Sequence, residues 1–178
     1  MDEAIQTFRD LVARHPDLAE ARHNLAVAYA RKGLQEQAVG QFHEAVRLRP
    51  DFHAARLDLA TLLLEMQRPH AAIDALQPLL ATISKDAEDS GRVAPMEVHY
   101  RLGIAYLMAG RVEEGTKELE AVLAEQPGHA GAHVQLAGLY YQTRQFARAW
   151  RHARQAEALG APVAELIAAL RRVAVEPQ

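Results

Sequence analysis

Apolar residues recur at helical spacing along most of the chain, with polar residues between them. Leu25 and Tyr29 are four residues apart. Ala38, Phe42 and Ala45 follow at steps of four and three residues. Because an α-helix returns to the same face every three or four residues, each set lies on one side of a helix. The pattern predicts two short amphipathic helices for this stretch.

Glycine and proline mark the ends of these predicted helices. Gly33 and Gly110 follow the first helix of a pair, since glycine readily takes the left-handed conformation found at helix C-termini. Pro50 and Pro127 follow second helices, because proline cannot continue a helix. Each unit therefore reads as helix, turn, helix.

The units repeat at a period of 34 residues. A step of 34 takes Leu25 to Leu59, and the same step takes Leu102 to Leu136. Leu59 and Leu102 are 43 residues apart, so 9 additional residues separate two phases of the repeat. A fixed period of this length is typical of helical-repeat proteins, in which neighbouring units stack to bury one continuous core.

The repeated positions resemble the tetratricopeptide repeat, which has a small residue after leucine, then tyrosine, alanine, an aromatic residue and a closing proline. Units 19–52 and 96–129 match best, and nearly the whole chain is covered. The fourth position departs from the pattern, because no large aromatic residue occupies it in any unit. It holds Arg22, Arg56, His99 and His133. The resemblance implies an all-α, right-handed helical-repeat solenoid of antiparallel helix pairs with a C-terminal capping helix.

We expect a single array over residues 1–178. Its parts are a half repeat at 1–18, repeats at 19–52, 53–86, 96–129 and 130–162, an insertion at 87–95 and a capping helix at 163–178. Regular stacking depends on equal repeat lengths, so we expect residues 84–95 to bend or offset the array. Pro78 falls inside a predicted helix, where it should kink the helix or weaken one hydrogen bond.

Composition excludes several classes of function. The net charge of −3 gives no basic field to attract nucleic acid or an anionic membrane. The absence of cysteine excludes disulfides and thiolate metal sites. No apolar run approaches the roughly 20 residues of a membrane-spanning helix. Residues 1–10 lack the basic and apolar segments of a signal peptide, so we expect a cytoplasmic location, or a periplasmic one if the chain is a fragment.

No catalytic or metal-binding motif appears in the sequence. There is no nucleophile motif, no phosphate-binding glycine loop and no acid–base pair that spacing supports, so we expect neither catalysis nor a cofactor. His129 and His133 have a spacing that can place two ligands on one helix face, but no carboxylate supports them. A local basic patch contains Arg148, Arg151, His152 and Arg154. It reads as a solvated helix face, and the alternative is a surface for an acidic partner.

The family resemblance implies a peptide-binding groove lined by the first helices of the pairs. Its lining positions are the second, fifth, sixth, ninth, twelfth and thirteenth of each unit, which in the first two units include Val27, Ala30, Arg31, Thr61 and Glu65. Across all units we assign to the groove His23, Asn24, Leu57, Asp58, Leu64, Tyr100, Arg101, Ile104, Leu107, Met108, Gln135 and Tyr141.

Two interpretations of this groove set remain open. Many members are apolar, and apolar side chains outside a core stripe mark interaction surfaces. We expect five of them, namely Leu57, Tyr100, Ile104, Leu107 and Tyr141, to line one concave surface and to stay partly exposed. The alternative is ordinary packing between helices.

The N-terminal residues predict a second surface. Residues 1–16 read as a second helix whose apolar face contains Ile5, Phe8, Leu11 and Val12. Packing on the following helix covers only one side of such a face. We therefore expect this edge to contact a second copy, a partner chain or upstream sequence.

These observations favour a non-catalytic protein- or peptide-binding adaptor or assembly scaffold that uses the concave groove. Two alternatives remain: a structural scaffold that self-associates through the N-terminal edge, and the regulatory array of a larger enzyme. The expected partner is a protein or peptide, with a homo-oligomer as the alternative, and neither nucleic-acid binding nor direct membrane insertion is expected.

Overall fold

The computed structural model describes residues 2–83 and 94–175, without the side chains of residues 81–83. Within these ranges the chain forms ten α-helices and no β-strand. The helices are α1 (Asp2–Arg14), α2 (Ala19–Arg31), α3 (Gln35–Leu48), α4 (His53–Glu65), α5 (Pro69–Ile83), α6 (Pro95–Met108), α7 (Val112–Glu125), α8 (Ala130–Gln142), α9 (Phe146–Ala158) and α10 (Ala164–Val173). The prediction of an all-α helical-repeat fold is confirmed.

The chain divides into two compact units, Met1–Arg101 and Leu102–Gln178. In the first unit α1 packs on α2, α2 pairs with α3, α3 packs on α4, and α4 pairs with α5. In the second unit α7 packs on α8, α8 pairs with α9, and α10 packs on α9. Helix α10 contributes Ile167 and Leu170 to this packing, and both are buried.

The turns inside the helix pairs share one backbone conformation. A residue with positive φ stands at the same place in four turns: Gly33 at 79°, Gln67 at 58°, Gly110 at 75° and Arg144 at 58°. In each turn the backbone N–H groups of this residue and of the next one donate to carbonyls of the preceding helix. These bonds satisfy carbonyls that the helix end leaves unpaired, and so they fix the turn.

Small residues occupy many of the contacts between helices. Ala26, Ala60 and Ala137 are fully buried at equivalent repeat positions, and Ala38 is fully buried on the second helix of its pair. The large residue Trp150 is 1% exposed, so it belongs to the core of the second unit. A core of alanine and leucine allows helices to approach closely.

Helices α6 and α7 approach each other closely at Gly103 and Gly115. A Cβ atom on Gly103 would lie 2.7 Å from Cγ of Leu119. A Cβ atom on Gly115 would lie 2.6 Å from Cδ2 of Leu107. Only glycine fits both positions without movement of a neighbouring side chain.

The connection between the two phases of the repeat lies largely outside the described residues. The prediction that residues 84–95 bend the array falls mainly on 84–93, which are not described. Helix α5 runs through Pro78 to Ile83. Among the helices described, none has both the length and the hydropathy needed to cross a membrane.

Candidate protein-binding surface

Two neighbouring cavities lie in the first unit. One, of about 470 Å³, is lined by residues of α1 and α2. The other, of about 290 Å³, is lined by α2, α4 and Phe42 of α3. Val27 and Arg31 line both cavities. We call the two cavities together the α2–α4 trough, bordered by Asn24, Val27 and Arg31 on α2 and by Asp58, Thr61 and Glu65 on α4.

Helix geometry places these border residues side by side. Positions 24, 27 and 31 share one face of α2, and positions 58, 61 and 65 share the corresponding face of α4. All six belong to the positions that the family resemblance assigned to the groove. Below them, the buried residues Phe42 and Leu62 form an apolar floor.

A half-buried histidine links α2 to α4 beside the trough residue Asp58. Nε2 of His23 lies 2.8 Å from Oδ2 of Asp58. The His23 ring packs against Phe42 and Phe52, with ring centroids 5.6 and 5.0 Å away. The His23 side chain is 17% exposed and that of Asp58 is 47% exposed. His23 therefore holds α2 against α4, while the Asp58 carboxylate remains accessible.

Three polar residues of the trough have no partner within the described part of the chain. Asn24, Arg31 and Glu65 are exposed and form no side-chain hydrogen bond or ion pair there. Such groups need no existing bond to be broken before they bind a ligand, which lowers the cost of association.

One residue assigned to the groove is instead part of the core. Leu64 is 8% exposed, so its assignment to an accessible groove is wrong. Leu62 and Leu63 beside it are also buried. Helix α4 is apolar on several sides and packs on both α3 and α5, which leaves little of its surface free.

The other assigned residues keep some exposure but differ in surroundings. Arg101 donates through Nε to Oε1 of Glu97 at 2.8 Å. Leu107 packs on Gly115 of α7. The Tyr141 ring lies 6.2 Å from that of Phe146. Gln135 is half-buried and Met108 is 38% exposed.

Partial exposure was expected for five apolar residues, and the structure places all of them between buried and exposed. These are Leu57, Tyr100, Ile104, Leu107 and Tyr141. Leu57 and Tyr100 belong to the first unit and the other three to the second. Their alignment along one concave surface stays a prediction.

The N-terminal edge is better covered than its sequence indicated. Ile5 is 8% exposed and clusters with Leu25 and Ala28 of α2. Phe8 and Val12 pack against this cluster, and Leu11 is half-buried. Helix α2 therefore covers the centre of this face at Ile5, and contact of the edge with a second copy, a partner chain or upstream sequence stays a prediction.

The fourth position of the repeat has a role that the sequence did not reveal. In three repeats its side chain contacts the carbonyl of a proline six residues earlier. The pairs are Arg22 with Pro16, Arg56 with Pro50 and His133 with Pro127, at N···O distances of 2.9, 3.2 and 3.0 Å. The sequence signal that could have revealed this contact is a side chain with a nitrogen donor six residues after each of these prolines.

Three of the described histidines, at the start of α8, on α8 and on α9, have structural partners. Nδ1 of His129 accepts a hydrogen bond from the backbone N–H of Ala132 at 3.0 Å and so caps α8. His133 is 7% exposed and lies 2.9 Å from His152. Within residues 2–83 and 94–175, no group of three or more potential ligands could hold a metal ion.

Paired helices, repeated turns and an open trough define a helical-repeat protein of the kind that binds other proteins. Models of the tetratricopeptide repeat match residues 1–51, 35–88 and 57–116, and a further model of the same repeat matches residues 106–171. The chain belongs to the tetratricopeptide repeat family. This family is generally non-catalytic and acts in protein interaction or as a scaffold.

Solved structures with the same fold include three helpful comparisons. MamA from Desulfovibrio magneticus RS-1 is 19% identical with a TM-score of 0.73, covering 94% of this chain and 86% of that one. YrrB, described as having an unusual peptide-binding site, is 19% identical with a TM-score of 0.76, covering 97% and 84%. PilW, a type IV pilus biogenesis factor, is 19% identical with a TM-score of 0.70, covering 89% and 69%. No curated protein matches the sequence.

Proposed function

We propose that this chain is a non-catalytic adaptor or assembly scaffold that holds an extended peptide segment of a partner protein in the α2–α4 trough. The supporting observation is the unpaired polar border of Asn24, Arg31 and Glu65 beside apolar cavities. The YrrB fold neighbour, which is described as having a peptide-binding site, also supports a peptide ligand.

The border residues offer complementary bonds to a peptide. The Asn24 amide can donate to and accept from a peptide backbone whatever the peptide sequence. Arg31 offers several N–H donors to carbonyl or carboxylate oxygens. Asp58 and Glu65 on α4 offer carboxylates to a basic side chain. This arrangement favours a segment that carries apolar and charged side chains together.

The first cavity supplies the apolar contact for such a segment. Phe8, Val27 and Ala28 contribute to its walls. Burial of a partner's leucine or phenylalanine side chain there contributes roughly 1.5–3 kcal/mol when burial is complete. The polar border then determines the orientation of the segment more than its affinity.

Peptides selected on the immobilised chain from a random-sequence display library test the proposal. Affinities are measured by fluorescence anisotropy for the native chain and for Asn24→Ala. Loss of one or two backbone hydrogen bonds should weaken binding about three- to tenfold. Gln37→Ala is the matched control, because Gln37 is an exposed amide on α3 outside the trough.

A photocrosslinking residue at Thr61 or at Gln37 provides a second measurement. We expect crosslinks to the selected peptides from position 61 and not from position 37. Equal affinity of the native and Asn24→Ala chains for every peptide, with no crosslink from position 61, would show that the trough is not the binding surface.

A further inference from the structure

The fourth-position contact of the first repeat belongs to a small bonded network. Arg22 donates through Nε to the carbonyl of Pro16 at 2.9 Å. It also donates through Nη1 to Oε1 of Gln41 at 3.3 Å. Gln41 lies 19 residues after Arg22, on the second helix of the pair. This network ties α2 both to the preceding turn and to α3.

The last repeat has the same network built from histidines. Nε2 of His133 lies 3.0 Å from the carbonyl oxygen of Pro127. Nδ1 of His133 lies 2.9 Å from Nδ1 of His152, which again is 19 residues later. Two titratable rings therefore occupy the places that Arg22 and Gln41 hold in the first repeat.

The hydrogen-bond partners determine which ring nitrogens of His133 and His152 carry a hydrogen. A carbonyl oxygen only accepts hydrogen bonds, so Nε2 of His133 carries a hydrogen. In neutral His133 the other nitrogen, Nδ1, is then an acceptor. The bond across the pair must be donated by Nδ1–H of His152.

This arrangement accepts one additional proton but not two. With one proton added, a single N–H still lies between the two Nδ1 atoms. With both rings protonated, two N–H groups face each other across 2.9 Å, and two positive charges repel within the helix pair. The Arg22–Gln41 network has no group that titrates between pH 4 and 7.

The surroundings of the pair disfavour additional positive charge. The His152 ring stacks on Tyr140 with a centroid distance of 5.6 Å, and the Arg148 guanidinium lies 5.4 Å from the Tyr140 centroid. Burial, the neighbouring His133 and Arg151 lower the pKa of His152 to about 4.

Other charged or titratable groups lie on the elements packed around the pair. They include His129 at the start of α8 and the exposed Glu165, Arg171 and Arg172 on α10. They also include Glu113, Lys117 and Glu120 on α7, which line a cavity with Tyr140 and Arg148.

We propose that His133 and His152 form an acid-sensitive lock on the α8–α9 pair, whereas Arg22 and Gln41 form its pH-insensitive counterpart on α2–α3. Acid adds the second proton, breaks the bond between the two rings and loosens α8 from α9. The inference is independent of ligand binding in the α2–α4 trough. It predicts that acid destabilises the second unit selectively.

The direction of the pH effect follows from the two states of His152. In the unfolded chain its pKa is near 6.5, and in the folded chain it is about 4. The unfolded state therefore binds more protons between these values, so stability falls as pH decreases from about 6.5 to about 4. At pH 4.5 the folding equilibrium constant should be lower by roughly ten- to fiftyfold.

Replacement of the histidine pair by the residues of the first repeat tests the acid-sensitive lock. The double variant His133→Arg/His152→Gln places the first repeat's residues in the last repeat. Trp150 is the only tryptophan of the chain and lies buried on α9, so its fluorescence reports unfolding of the second unit. Urea titrations at pH 7.5 and 4.5 give the folding equilibrium constant of each chain. Between these pH values we expect the constant of the native chain to fall by at least tenfold more than that of the double variant.

Carboxylates titrate in both chains and cancel in this comparison. An equal loss of stability in both chains would overturn the proposal. Imidazole nitrogen NMR of the native chain provides the second measurement, which remains decisive if the double variant does not fold. At pH 7.5 we expect hydrogen on Nε2 of His133 and on Nδ1 of His152, and the opposite tautomers would also overturn the proposal.

Discussion

At the scale of single residues, repeats that are similar in sequence differ in their side-chain networks and in their turn conformations. The left-handed position of the helix–helix turn is glycine in two pairs, but Gln67 and Arg144 hold it in two others. An L-residue in this conformation costs about 1–2 kcal/mol relative to the right-handed one. These two turns therefore store strain that Gly33 and Gly110 avoid.

The first residue-scale prediction is that Gln67→Gly stabilises the chain. Gln67 is exposed, and relief of its strained φ exceeds the entropy that glycine loses on folding. We expect a gain of about 0.5–1 kcal/mol in the free energy of unfolding. Urea denaturation followed by circular dichroism measures it.

The reverse substitution, Gly33→Gln, is the matched control for this prediction. No atom lies within 4 Å of a Cβ built at Gly33, so only the backbone conformation is affected. Gly33→Gln should lower the stability by a similar amount. A gain from both substitutions, or from neither, would contradict the explanation from φ.

The sequence showed which residues repeat, but not the burial or the contacts of every single residue. The period identified which positions repeat, and the family resemblance assigned Asn24 and Asp58, which line the two cavities, to the groove. It did not reveal that Leu64 is buried, because burial depends on the helices packed around α4. Nor did it reveal the partnership of His133 with His152, since that contact joins two helices.

At the scale of helices, the pairs and their turns followed closely from the sequence. The apolar spacing marks local backbone preferences in the described pairs, and glycines and closing prolines mark helix ends in some of them. The close crossing of α6 and α7 at Gly103 and Gly115 was not predicted. Its geometry depends on tertiary contacts with Leu107 and Leu119.

The helix-scale prediction is that Gly103→Ala destabilises the chain although alanine favours helices. The added Cβ would lie 2.7 Å from Cγ of Leu119, which is fully buried and has little room to move. Overpacking of this kind costs about 1–3 kcal/mol and exceeds the gain of about 1 kcal/mol in helix propensity. Thermal and urea unfolding measure the net loss.

Gly40→Ala is the control for this comparison. Gly40 lies inside α3, is exposed, and has open space where a Cβ would stand. The same substitution should there raise stability by about 0.5–1 kcal/mol. Similar effects at positions 40 and 103 would contradict a steric role for the crossing.

At the scale of the whole molecule, the division into two units gives the trough and the acid-sensitive lock separate locations. The trough lies in Met1–Arg101, and the histidine pair lies in Leu102–Gln178. The lock predicts that acid weakens the second unit, while the first unit retains the Arg22–Gln41 network. Binding in the trough and acid stability are therefore separable properties.

The pattern of helix contacts has a consequence for how quickly the chain acquires its structure. In the described residues the extensive contacts join helices that are neighbours in the chain, from α1 with α2 to α9 with α10. Short loops close with little entropy loss, and proteins rich in local contacts fold within microseconds to milliseconds. Temperature-jump relaxation of Trp150 fluorescence should fall in this range. A relaxation of seconds would indicate that a distant contact limits folding. Fast local folding would let the first repeats stack on one another before the later repeats are synthesised.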